Sequence, residues 1–585
     1  MESEELLKKQ ILAASGAEPA ELVFKNARIV NVFTEELEEA DVAVTAGYIV
    51  GIGNYHGKTE VELGEGKILC PAFLDGHIHL ESSMVSPWEF QKTVLPHGTS
   101  CVITDPHEIA NVAGTAGIRY MMEATKNLDL EVYFMLPSCV PSTPLDESGA
   151  VLGAEELRSF YESERVLGLA ELMNFYGTVA AEDGILKKLL DAKANNRLID
   201  GHAPFLSGKA LNAYVTAGVT SDHECSGIEE AKEKLRRGQW IMIREGTAAQ
   251  NLNALMPLFA HPYCLRSLLV TDDKHPEDLM ELGHIDYIIK KAIKNGADPI
   301  TAIRMGSYNV AACFGLKHKG AIAPGYEANL VVIDNFDSFR VEQVYQKGRL
   351  VAEQGKCLTR KRPEEKWDEE IRRRVFDSFH MKEIREEDLF LKARGEKQRV
   401  IGLQPRELLT RELIVPWQEK EGYAPGVDID RDIIKLAVFE RHHASGHVGI
   451  GYVSGYGLKK GAVASSVAHD SHNLIVAGTN DRDMMIAGNR VRENKGGLAV
   501  VVDGEVIGDL PLPIAGLMTD ACVSQVEKKL QEMKAALSRL GIPDTVDAFM
   551  TLAFTSLPVI PKLRLNTYGL IDVDAQRVAA VRFDE

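Results

Sequence analysis

The spacing of apolar residues changes several times along this chain, and each change predicts a different kind of element. Over residues 1–20, Leu6, Leu7, Ile11 and Leu12 recur at helical spacing and predict a short amphipathic helix. From residue 21 the runs are short. Leu22-Val23-Phe24, the stretch 27–32, Asp41-Val42-Ala43-Val44 and the stretch 48–52, punctuated by Gly47, Gly53 and Gly57, predict the strands of a small antiparallel unit over 21–70. Between 71 and 317 apolar strand-like runs alternate with amphipathic segments such as 185–194 and 228–237. The runs end at Gly76-His77-Ile78-His79, Thr104-Asp105-Pro106-His107-Glu108, Phe134-Met135-Leu136-Pro137 and Leu169-Ala170-Glu171-Leu172. Four more end at Ile199-Asp200-Gly201-His202, Thr220-Ser221-Asp222-His223-Glu224, Ile243-Arg244-Glu245-Gly246 and Val270-Thr271-Asp272-Asp273. Eight βα units in about 250 residues predict an α/β fold of the (β/α)8-barrel kind. A doubly wound open sheet is the alternative, but no G-x-G-x-x-G follows the first strand.

Residues 318–358 return to short strands after the turn Ala323-Pro324-Gly325-Tyr326-Glu327. They are expected to complete the sheet begun by 21–70, so that the barrel is inserted into a small β-sandwich. The charge-dense stretch 359–400, with Arg360-Lys361-Arg362 and Glu364-Glu365, reads as a solvated connecting helix. Beyond it, 401–585 reads as a separate α+β domain. Its strands are expected at 448–453, 461–467, 473–477 and 497–502. A helix over 524–540 should carry Val526, Leu530, Met533 and Leu537 on one face.

In a strand, residues two apart point the same way. His77 and His79 therefore face one side at the end of the first barrel strand. The C-terminal ends of barrel strands converge on one site, which would bring together His77, His79, His107, Glu171, His202, His223 and Asp272. Imidazoles and carboxylates in this number suit two divalent ions, Zn, Fe or Mn. Glu171 can bridge them, with His77, His79 and Asp272 on one ion and His202 and His223 on the other.

Length and composition agree with a multidomain globular protein: 585 residues exceed one compact core, with 45% apolar and 26% charged residues. The net charge of -19 argues against a nucleic-acid backbone or an anionic membrane as partner. The eight cysteines form no C-x-x-C pair, and Met1-Glu2-Ser3-Glu4-Glu5 opens no apolar signal segment. A reducing cytoplasm and a homo-oligomer are the expectations.

These residues carry a resemblance. D-G-H-x-H on the first strand, single histidines on the fifth and sixth, Asp on the eighth and the split β-sandwich are similar to the amidohydrolase superfamily. Within it, the chain resembles the bacterial-type adenine deaminases, through residues 74–83, 105–112, 200–204, 221–224, 271–273 and His469-Asp470-Ser471-His472-Asn473. The likeness spans essentially the whole chain. Many binuclear members use a carbamylated lysine on strand four; here Glu171 stands instead, which fits the adenine deaminase branch and weighs against hydantoinase-like readings. The H-x-E and P-C-x-x-C signature of zinc cytidine deaminases is absent.

The resemblance implies hydrolytic deamination of adenine, a nucleobase substrate, with Asp272 taking the proton of the attacking water. It suggests Glu224 as an acid near purine N1 and Asp273 as a contact to N7; capping of the following helix is the other reading of Asp273. His107 reads as a substrate contact, a ligand of a further metal with Glu81, or a residue orienting a ligand. Arg244 and Glu245 are substrate contacts or a local ion pair. The histidine-rich segments of the last domain, with His443, His469 and His472, read as a lid over the mouth, a separate metal site or interdomain packing. Two other functions stay open: another amidohydrolase, such as a deacetylase or cyclic-amide hydrolase, and a non-catalytic barrel scaffold.

Overall fold

The computed structural model describes residues 4–247, 249–359, 361–404 and 409–584. The first helix is Glu4–Ala14, so the first three residues of the expected helical stretch lie outside the described residues. Its packed side differs from the expectation. Leu7 and Ile11 are exposed, Leu6 and Leu12 are half-buried, and Ala13 with Ala14 packs against the sheet.

The small unit that follows is mixed rather than antiparallel. Ala20–Asn31 pairs antiparallel with Glu36–Thr45, which pairs with Tyr48–Gly53, but Gly57–Glu62 and Ile68–Pro71 run parallel to the first strand. Ile68–Pro71 then pairs antiparallel with Leu330–Ile333, a strand from beyond the barrel. Val341–Gln346, Arg349–Glu353 and Lys356–Cys357 extend the order, giving one continuous nine-stranded sheet. The sheet curls into two layers. The rings of Phe24 and Tyr345 meet edge to face at 4.8 Å although their strands are not neighbours. They close over Ile29, Val42, Leu69 and Leu330.

Only Ala72 separates this sheet from the first barrel strand, Phe73–Ile78. Five parallel strands follow one another in register: Phe73–Ile78, Thr99–Thr104, Glu131–Leu136, Val166–Leu172 and Leu198–Gly201. Ser221–Asp222, Trp240–Arg244 and Ser267–Val270 form a second parallel arc. The arcs join at both edges. Thr220 N–H donates to Ile199 C=O at 2.9 Å, and Asp272 N–H donates to His77 C=O at 2.9 Å. Eight strands thus close a barrel, filled by Leu74, Cys101, Ile103, Met135, Ala170, Met242, Leu268 and Val270.

Lys319 ties the barrel to the sheet. Its buried ammonium meets Glu131 at the start of the third barrel strand, 2.5 Å away, and Glu327 in the turn of the small domain. Removing one partner of such a group strands the other charges. Lys319→Ala is expected to cost about 3 kcal/mol of stability, read as a lowered thermal unfolding midpoint.

The connecting stretch is not a solvated helix. It holds a short helical turn, Glu369–Ile371, a wide π-turn, Arg372–Phe376, and otherwise irregular chain. Ile371, Val375, Ile384 and Leu389 are buried, so this segment packs instead of bridging through solvent; Arg360 of its basic run lies outside the described residues. The last domain begins with Lys397–Gly402 and centres on a second nine-stranded sheet. Its middle strand, Ile433–Phe439, is buried throughout. The expected helix forms as Val523–Arg539 and buries Val526, Leu530, Met533 and Leu537 as its spacing requires. No helix among the described residues is long and apolar enough to cross a membrane.

Candidate metal centre and active site

The strand ends deliver the expected side chains to one place. Glu171, at the end of the fourth barrel strand, is buried at the centre. Its Oε1 lies 3.3 Å from His79 Nε2 and 3.9 Å from His77 Nε2; its Oε2 lies 2.7 Å from His202 Nδ1 and 3.3 Å from His223 Nε2. Asp272 Oδ1 faces the first pair, 3.2 Å from His79 and 3.7 Å from His77. Ligand atoms of His77, His79 and Asp272, and of His77, Glu171 and His223, cluster within 4.8 Å of one another.

Local structure explains why these side chains point inward. Asp75 accepts the Thr271 hydroxyl at 2.5 Å and the His77 N–H at 3.2 Å, tying strand one to strand eight beneath the centre. The His79 Nδ1–H donates to the Asp105 carbonyl at 3.1 Å, which leaves Nε2 for the site. His77 Nδ1 lies 3.5 Å from Asp200, on the fifth strand. Gly201 lets strands five and six meet before His202, since a Cβ there would lie 2.2 Å from the Ser221 carbonyl.

The charges suit a cation. Burial pushes the Glu171 carboxyl up, but His202, His223 and His79 outweigh it and hold it well below the usual carboxylate range. Asp272 behaves alike: burial raises it, while His79, Arg244 and His223 bring it well below normal. His77 Nε2 is buried without a hydrogen-bond partner and faces these carboxylates. An orphaned imidazole nitrogen among ionised carboxylates is what a metal ligand requires, so the residues fit divalent ions.

The surrounding residues are engaged with one another. Arg244 takes the ion-pair reading: its guanidinium grips both oxygens of Glu224 and reaches Asp272 Oδ2 at 2.9 Å. Glu224 is correspondingly ionised; burial raises its carboxyl, but Arg244 and the neighbouring histidines bring it below normal. Glu245 pairs with Lys291. Asp273 does not cap the next helix, whose N-cap is His275; its Oδ1 accepts the Ser82 hydroxyl at 2.5 Å. Glu81 Oε1 accepts the Ile109 N–H at 3.1 Å. His107 is buried, with Nδ1 3.0 Å from Asp105 and 3.5 Å from Glu171, and Nε2 3.3 Å from Glu108.

His469 and His472 of the last domain are buried against the barrel. Both bind Glu108, His469 Nδ1 at 2.6 Å from Oε1 and His472 through Nε2. His443 is exposed and reaches the Ser148 carbonyl at 3.2 Å. All three touch barrel residues, as interdomain packing requires, and ligand atoms of Glu108, His469 and His472 lie within 4.8 Å of one another, as a separate metal site requires. Asp75, Glu108 and Asp470 were not singled out by the reading of the sequence, although each stands inside or beside a histidine motif.

Residues 68–351 match the amidohydrolase family and 407–577 match the adenine deaminase C-terminal domain. The chain is 48% identical to adenine deaminase 2 of Carboxydothermus hydrogenoformans, over 98% of this chain and 99% of that protein. The chain belongs to the adenine deaminase family. The adenine deaminase of Geobacillus kaustophilus is 45% identical, over 97% and 98% of the two chains, and that of Clostridium acetobutylicum 43%, over 97% and 98%. Among solved structures, the dihydropyrimidinase of Brevibacillus agri aligns with 57% of this chain and 96% of its own (TM-score 0.46, 15% identity). The β-aspartyl dipeptidase of Fervidobacterium islandicum aligns with 58% and 99% (TM-score 0.45, 16% identity). Adenine deaminases are thus matched along nearly the whole chain.

Proposed function

We infer that this chain hydrolyses adenine to hypoxanthine and ammonia, with two divalent ions held by His77, His79, Glu171, His202, His223 and Asp272. The observation that carries the metal assignment is Glu171, whose two oxygens face two different histidine pairs. Manganese, iron and zinc all suit the donor set. When bound, such ions supply the Lewis acidity that makes water nucleophilic at neutral pH.

The side chains supply positioning and proton transfer. Asp272 enters the reaction ionised, with one oxygen toward His77 and His79 and the other on Arg244. It accepts a proton as water adds to C6 of the purine. Expelling ammonia then requires a proton on the exocyclic nitrogen, and Asp272, now protonated, delivers it. Arg244 spans Asp272 and Glu224, so both carboxylates share one counter-charge and a proton gained by either changes the hold on the other. Glu224, 3.4 Å from His223, is the group proposed to exchange a proton with a purine ring nitrogen. His107 and Asp273 are the proposed substrate contacts.

An ultraviolet assay of the metal-reconstituted protein tests the substrate. Adenine is expected to be consumed and adenosine left intact. Turnover of adenosine alone, or of neither, would defeat the reading.

A further inference from the structure

The loop His469-Asp470-Ser471-His472 is fixed from both sides. Glu108 of the barrel binds His469 and His472 with its two oxygens. His472 Nδ1 accepts the Ala468 N–H at 3.2 Å, which puts the proton of the neutral ring on Nε2, toward Glu108. From within the last domain, the buried Arg441 guanidinium donates to the His472 carbonyl at 2.5 Å and the Ala515 carbonyl at 2.9 Å. His442 Nε2–H donates to the Ser471 carbonyl at 2.8 Å.

Between the two clamped histidines stands Asp470, also buried. Its Oδ1 lies 3.8 Å from His107 Nε2, and His107 Nδ1 lies 3.5 Å from Glu171, so Asp470 is one imidazole ring away from the central carboxylate. Its Oδ2 is buried with no hydrogen-bond partner. A buried carboxylate oxygen left unpaired is costly, and here two histidine–glutamate contacts hold it in place.

Adenine offers what this oxygen lacks. Besides the exocyclic amine, the free base has one ring N–H on its five-membered ring, and a nucleoside or N9-alkyl purine has none. Nearer the centre, Glu224 has both oxygens on Arg244 and Glu171 has both on imidazoles; Asp105 and Asp200 each keep an oxygen without a hydrogen bond, but both stand behind imidazoles, Asp105 Oδ2 at 3.0 Å from His107 Nδ1 and Asp200 Oδ2 at 3.5 Å from His77 Nδ1. Glu81 also keeps an unpaired oxygen, but it belongs to the barrel and serves the start of the helix His107–Ala113. We propose that Asp470, brought beside His107 by the last domain, is a specificity-determining residue that accepts the ring N–H of the free purine base and so selects the base over N9-substituted purines. The proposal rests on the deaminase reading above. A site built to hydrogen-bond a substrate N–H rejects analogues lacking it, because its own polar group is then stranded.

The test compares adenine with 9-methyladenine, which has no ring N–H, on the full-length metal-loaded protein. The parent is expected to favour adenine in kcat/KM by on the order of 10^4-fold. Asp470→Ala should lower kcat/KM for adenine roughly 100-fold, mainly through KM, and leave the 9-methyladenine rate near the parent's, so that selectivity shrinks. Asp470→Asn, which keeps the volume, should fall between the two and guards against a variant that fails to fold. Metal content should equal the parent's in both. A parent active on adenine whose Asp470→Asn variant keeps the parent's selectivity overturns the proposal alone, as does an equal loss on both substrates that tracks lost metal. A parent inactive on adenine would remove the deaminase reading and this proposal with it.

Discussion

Glu171→Ala is expected to empty the metal centre and to lower kcat/KM for adenine by roughly 10^4-fold or more, the scale of loss when groups that act as one unit are broken. The reason is geometric. Among the described residues, Glu171 is the one carboxylate whose two oxygens reach both histidine pairs, His77 with His79 and His202 with His223. Asp272 contacts only the first pair through Oδ1 and spends Oδ2 on Arg244. Without Glu171 the four imidazoles lose the anion that draws them together, and burial then favours their neutral, separated state. Elemental analysis should give close to two metal equivalents for the parent and less than one for the variant. The fold should survive, since Glu171 contributes its side chain to the site and its backbone to the barrel. An active Glu171→Ala enzyme with parental metal content would end the bridging assignment.

Asp272→Asn is expected to separate binding from chemistry. Asparagine keeps the shape and one acceptor oxygen toward His77 and His79 but cannot take up the proton of the attacking water. General-base catalysis contributes roughly 10^2–10^4-fold, and kcat should fall on that scale while KM changes by less than about threefold. Arg244 would still hold Glu224 through two contacts, so the wall of the site should persist. Steady-state kinetics together with metal analysis decide the point. A variant with parental kcat excludes Asp272 as proton acceptor, and one that loses its metal makes Asp272 chiefly a ligand.

The positions legible in the sequence were those governed by short-range periodicity. His77 and His79 could be placed on one side of a strand by their spacing, and each later ligand stood at the end of an apolar run. Contacts set by closure of the barrel were not legible. The Arg244 bridge between Glu224 and Asp272 depends on strands six, seven and eight arriving side by side, and Asp75 gains its role only when Thr271 lies across from it. Glu108 and His469 are 361 residues apart, and nothing local to either motif says which surface the other docks against. The same limit explains Ile433–Phe439. A strand buried on both faces shows no alternation, so its apolar run carries no period to read. In the first helix, the apolar stripe pointed to Leu7 and Ile11, whereas docking on the sheet buries Ala13.

The pairing of Ile68–Pro71 with Leu330–Ile333 has a consequence for synthesis. The first of these strands leaves the ribosome before the barrel and its partner only after it. At about 5–20 residues per second, the apolar edge formed by Ile68, Leu69 and Cys70 waits tens of seconds for its neighbour. The long loop adds little to the equilibrium cost of closure, which grows only slowly with length. The exposure is kinetic: a nascent chain arrested within the barrel carries an open sheet edge, the kind of surface that recruits other strands. Vectorial delivery therefore makes the barrel the timekeeper of the small domain, and truncation anywhere inside it should yield aggregation-prone fragments rather than a folded N-terminal piece.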